Sequence, residues 1–123
     1  MTREPRTDGA ADLLGALKER LREFANARDW EQFHSPKNLA TALIVEAAEL
    51  LEHFQWLTES QSRRLPPETL RAVEEEIADV LIYLTRLSDQ LGVDPLDAAY
   101  RKIERNEKRY PADEVRGSAD KRK

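Results

Sequence analysis

Apolar residues recur three and four positions apart along most of this 123-residue chain, a rhythm of helices and not of strands. Leu14, Leu17, Leu21 and Phe24 predict a first helix to about Arg28, with Asp8 or Asp12 as its cap. A polar and aromatic loop, residues 29–34, follows. Ser35-Pro36 reads as a cap and first turn of a second helix, expected to reach Leu57. Residues 58–65 form a polar connection. Pro66-Pro67 opens a third helix to about Leu91, and Gly92 is its stop. Asp94-Pro95 opens a fourth, through Arg109, which Pro111 ends. Four helices with short connections predict an all-α, antiparallel four-helix bundle, one domain over residues 1–110. The first eight residues and the charged tail, residues 111–123, are expected to be flexible.

Acidic residues interrupt this pattern in a telling way. Glu46 and Glu49 lie three apart in the second helix, as do Glu76 and Asp79 in the third. Residues at that spacing share one side of a helix. On a wheel of roughly 100° per residue, Leu39, Leu43, Leu50 and Leu57 form an apolar stripe and Glu46 falls inside it. Glu49 lies on its shoulder and Glu52 far round on the polar side. An inward carboxylate must be neutral, paired with a base, or bound to a cation. In the third helix, Leu70, Val73, Ile77, Val80, Leu81, Leu84 and Leu91 make a broad apolar arc. Glu76 sits at its edge and Asp79 further round, with Tyr83 between them in azimuth. Glu74 and Glu75 compete on spacing alone. Two such helices in contact would gather several carboxylates, and an all-oxygen donor set favours a hard divalent cation such as Mg2+.

Composition narrows the classes. Charged residues make up 36% of the chain with a net charge of −4, which excludes a general nucleic-acid binder. A nucleotide remains admissible because a bound cation reverses the local sign. There is no Cys, so thiolate metal sites, disulfides and Cys nucleophiles are excluded. No apolar run has membrane-spanning length and no signal-peptide core is evident, so a cytoplasmic protein without a membrane partner is expected.

Two further groups fit a phosphorylated ligand with a base. Lys102, Asn106 and Arg109 form one line on the fourth helix, beside Leu96, Ala99, Tyr100 and Ile103. Such donors suit phosphate, although on spacing alone a solvated flank paired with Glu104 and Glu107 is the better explanation. Trp30, Phe33 and His34 cluster in the loop, and Trp56 lies near the end of the second helix. Aromatic faces stack on nucleobases. Phe33 reads instead as a staple of the loop to the core, and His34 as an aid to the following cap.

The run RDWEQFHSPKNLATALIVEAAELLEHFQW, then EEEIADVLIYL, then KIERNEKRYP, resembles the all-α NTP pyrophosphohydrolases of the MazG-like superfamily, and most of all their dCTP pyrophosphatase branch. The likeness covers about residues 24–111. It implies Glu46, Glu49, Glu76 and Asp79 as metal ligands and catalytic carboxylates, for Mg2+ with Mn2+ as a substitute. It implies Trp30, His34, Trp56 and Tyr83 as the nucleoside pocket, and Lys102, Asn106 and Arg109 as phosphate contacts. It further implies hydrolysis of dNTPs, dCTP or a modified dCTP favoured, to monophosphate and pyrophosphate, by a homodimer or homotetramer. Related pyrophosphohydrolases acting on dUTP or phosphoribosyl-ATP, and a non-catalytic self-assembling helical module, are the alternatives.

Overall fold

A computed structural model describes residues 6–122 of the chain, with side chains from residue 13. Every regular element among these residues is helical: α1 (Arg6–Ala27), α2 (Pro36–Glu52), α3 (Glu59–Ser62), α4 (Pro67–Leu91), α5 (Pro95–Arg109) and α6 (Ala112–Val115), with a 3₁₀ turn at Glu31–Phe33. The all-α expectation holds. The chain divides into two compact units, one ending at Gly92 and the next starting at Val93. Residues 1–5, expected to be loose, lie outside the described residues.

The helix boundaries follow from local chemistry. Ser35 adopts an extended backbone and its hydroxyl accepts from the Asn38 N–H, with Pro36 as the first helical residue of α2. Such a cap contributes about 1 kcal/mol. Asp94 does the same for α5, accepting from the N–H groups of Leu96 and Asp97. Gly92 ends α4 in the left-handed region at φ 69°, where a Cβ is disfavoured.

Two boundaries depart from the sequence pattern. α1 begins at Arg6, ahead of both expected caps. α2 stops at Glu52, five residues short of Leu57. Residues 53–56 form successive turns, and Thr58 caps the short helix α3 inside the expected polar connection. Thr58 and Gln61 exchange hydrogen bonds in a capping box, which requires an extended backbone at Thr58 and so cannot coexist with a continuous helix. The tail contains α6, and Tyr110 Oη accepts from the Arg122 N–H at 2.9 Å.

In the first unit α4 packs most extensively on α2 and also on α1. The cross-helix order is antiparallel: His53 of α2's end lies 3.9 Å from Glu76, while Glu46, one to two turns earlier, feels the charge of Asp79. Among the described residues the buried apolar side chains are Ala25, Leu39 and Val73. Thr85, Arg86 and Ser88 are buried as well. The two hydroxyls back-bond to the Leu81 and Leu84 carbonyls, so neither is left unsatisfied. By contrast Leu70, Ile77, Leu81, Leu84 and Leu91 of the apolar arc remain exposed within the single chain.

Candidate active site

α2 and α4 bring three of the expected carboxylates together. Oxygens of Glu46, Glu49 and Glu76 lie within 4.8 Å of one another, each residue half-buried. Helical spacing places Glu46 and Glu49 on one side of α2, and antiparallel packing sets Glu76 opposite. Asp79 stands outside this group of three but close enough for its charge to act on Glu46 and Glu76. Glu74 and Glu75, the rival acids, are exposed.

Crowding of like charge shows in the electrostatics. The Glu46 carboxyl is pushed up to about 7, first by hydrogen bonding with Glu49, then by burial and by the charges of Glu49, Asp79 and Glu76. Glu46 Oε2 is shielded from solvent and has no hydrogen-bond partner. Glu76 is also raised, chiefly by burial and then by Glu49, while His53 works in the opposite direction. Such a set either holds a proton or binds a cation. Its chemistry, all oxygen with one orphaned acceptor, fits a hard divalent ion.

The aromatic loop is built by backbone devices. Asp29 takes a positive φ of 55°, turning the chain off α1 so that the Trp30 N–H reaches the Ala25 carbonyl at 2.9 Å. Asp is among the residues that tolerate this region. Gln32 donates to both the Asp29 carbonyl and its carboxylate, and Asn38 Nδ2 donates to the Phe33 carbonyl. Trp30 meets Phe24 edge-on at a centroid separation of 5.6 Å and His34 at 6.5 Å. Arg28 lies over the Phe24 ring at 3.7 Å. Phe33 is exposed and does not staple the loop to the core; the Asn38 bond to its carbonyl ties the loop to α2 instead.

The remaining residues are distributed. Trp56, in the turns after α2, is 86% exposed. Tyr83 is half-buried on α4. Lys102, Asn106 and Arg109 share one side of α5, which lies in the second unit. A cavity of about 420 Å³ at the end of α2 is lined by His53, Leu57, Ser60, Gln61, Arg64, Leu65, Pro66 and Thr69, and by neither Trp.

Arg86 is the residue the sequence pattern did not disclose. It lies on the side of α4 away from the apolar arc, where a solvated base is the ordinary expectation, yet it is 2% exposed. Its guanidinium meets His34, Glu31 and Asp89. The i, i+3 spacing of Arg86 and Asp89 is the one hint of pairing in the sequence.

Residues 42–123 match the model of the MazG-like family. The chain is 48% identical over 101 residues to dCTP pyrophosphatase 1 of Mus musculus and 46% identical over the same length to that of Homo sapiens. Each match covers 80% of this chain and 59% of the relative, so the chain spans less than two thirds of their length. The crystal structure of a pyrophosphatase from Archaeoglobus fulgidus superposes with a TM-score of 0.70 at 48% identity, covering 79% of this chain and 91% of that one. Helical architecture, acidic centre and these likenesses agree: the chain belongs to the MazG-like family.

Proposed function

We propose that this protein is a divalent-cation-dependent nucleoside triphosphate pyrophosphohydrolase that acts on dNTPs, with dCTP or a modified dCTP preferred, in cytoplasmic nucleotide-pool cleansing. The observation that carries this reading is the trio Glu46, Glu49 and Glu76 with its orphaned, shielded oxygen on Glu46. The names borne by the similar mouse and human proteins support the substrate class.

Glu46, Glu49 and Glu76, joined by Asp79, would hold Mg2+, with Mn2+ as a substitute. The ion supplies charge neutralisation for the triphosphate and acidity for a water molecule. The chain's own contribution is positional. Trp30 and Trp56 stack on the base and His34 and Tyr83 contact the nucleoside, while Lys102, Asn106 and Arg109 are the phosphate contacts that the family likeness implies. Water adds across the α–β phosphoanhydride, one P–O bond forming as the bridging P–O bond breaks. The proton it loses goes to one of the four carboxylates, with Glu49 the candidate acceptor.

The active form is a homodimer or homotetramer. Supporting this, only three apolar side chains are buried among the described residues, against an exposed row on α2 and α4 that includes Ile44, Leu51, Ile77 and Leu91, a face suited to another copy.

With Mg2+, purified protein is expected to release pyrophosphate, not orthophosphate, from a panel of dNTPs. Glu46→Gln and Asp79→Asn should each abolish release while the far-ultraviolet circular dichroism spectrum persists. Near-normal turnover in either variant would overturn the assignment of that carboxylate.

A further inference from the structure

The buried guanidinium of Arg86 is directed at one ring nitrogen. Arg86 Nε lies 3.3 Å and Nη2 3.2 Å from His34 Nδ1. Nη2 also reaches Glu31 Oε1 at 3.4 Å, and Nη1 lies 3.5 Å from Asp89 Oδ2. Asp89 is in turn gripped by Arg22 from α1, through Nε at 2.7 Å and Nη2 at 2.6 Å. A chain of charges thus runs from α1 through α4 to the loop that carries Trp30 and His34.

A guanidinium donates and never accepts. Nδ1 of His34 must therefore present its lone pair, and the proton of the neutral ring must sit on Nε2. A second proton at Nδ1 would oppose two N–H groups and a positive charge. We propose that Arg86 is a positioning residue that holds His34 as the neutral Nε2–H tautomer, a fixed hydrogen-bond donor to an acceptor atom of the bound nucleoside. The donor role rests on the reading of His34 as part of the nucleotide pocket. The tautomer does not. A pyrimidine offers such acceptors at its ring carbonyl and unprotonated ring nitrogen. A histidine free to choose its tautomer, or to charge, would lose that definition.

The charged groups facing His34 are Arg86 from α4 and Glu31 from the 3₁₀ turn, with Asp89 and Arg22 standing behind Arg86. Burial, then Arg86, lower the His34 pKa below its ordinary 6.5, and Glu31 only partly opposes them. The ring should accordingly stay neutral at pH values where a free histidine has begun to charge.

Long-range ¹H–¹⁵N correlation spectra of the full chain read tautomer and titration directly. The sequence has two histidines, His34 and His53, so His53→Gln assigns the signals. Wild type should show Nδ1 bare, Nε2 protonated and a midpoint below 6.5. Arg86→Met should show mixed tautomers and a ring that binds its proton more tightly, its midpoint moving upward. Arg86→Lys should keep much of the wild-type tautomer. If Arg86→Met fails to fold, Arg86→Leu, a second apolar replacement of the buried guanidinium, carries the same test. In dCTP hydrolysis at pH 7.5, Arg86→Met should raise KM by roughly tenfold with kcat within about twofold, because a ground-state contact is loosened. Its KM should also become pH-dependent around the new His34 midpoint. A wild-type ring protonated at Nδ1, an Arg86→Met ring indistinguishable from wild type, or an altered ring with unaltered KM would each overturn the proposal. A wild type with the Nε2–H ring but no dCTP turnover would overturn the donor role and the hydrolase reading together, leaving the tautomer assignment intact.

Discussion

Glu46→Gln should change the sign of its effect on stability when Mg2+ is added. Without the ion, Glu46 sits among like charges, its oxygen within 4.8 Å of those of Glu49 and Glu76. At that separation one pair of unit charges repels by about 1 kcal/mol with water-like screening. The Glu46 carboxyl is raised to about 7 from 4.5, so its charged form is disfavoured in the folded state. The penalty is therefore absent well below 4.5, grows between 4.5 and about 7, and is complete above that value. In EDTA at pH 8, Glu46→Gln should stabilise the protein by about 1 kcal/mol, or roughly 4 °C in Tm. Well below pH 4.5 the two proteins should melt together. With millimolar Mg2+ at pH 8 the wild type should gain stability by ligand linkage and the variant much less, so their order reverses. Thermal melts followed by circular dichroism give all three comparisons. A variant destabilised equally at both pH values in EDTA, or stabilised by Mg2+ as much as the wild type, would refute the reasoning.

Other consequences are as direct. Gly92→Ala meets no atom within 4 Å but inherits a φ of 69°, so it should cost about 1 kcal/mol through backbone strain alone, read as a fall in Tm. Asp89 is held below its usual 3.8, first by the hydrogen bond from Arg22; its contribution is complete above 3.8 and is lost as pH falls through the folded value. Asp89→Asn should therefore flatten the acid limb of stability below pH 3.8, measured by urea midpoints. Ile44→Glu with Leu51→Glu places charge on the exposed row of α2 and should shift the sedimentation coefficient from that of the proposed dimer or tetramer toward the monomer.

Much of the helical frame was legible because its signals are short-range. Ser35-Pro36, Asp94-Pro95 and Gly92 act on backbone groups within a few residues, and each ends or starts a helix where it should. The end of α2 was not legible from apolar spacing, since Leu57 continues the stripe although the Thr58–Gln61 capping box breaks the helix. Glu46 stood out because a charged residue interrupted an apolar stripe. Glu76 could not be separated from Glu74 and Glu75 by spacing, whereas packing leaves those two exposed and turns Glu76 toward α2.

By itself, then, the sequence determined the helical class, most helix ends and the carboxylate pairs, since all depend on residues within one or two turns of each other. Only the tertiary structure decided which acids meet, that α4 leaves much of its apolar arc uncovered, and that Arg86 is buried against His34 across 52 residues of chain. Those outcomes depend on which helix faces are pressed together, and no periodicity along one helix records the face of its neighbour.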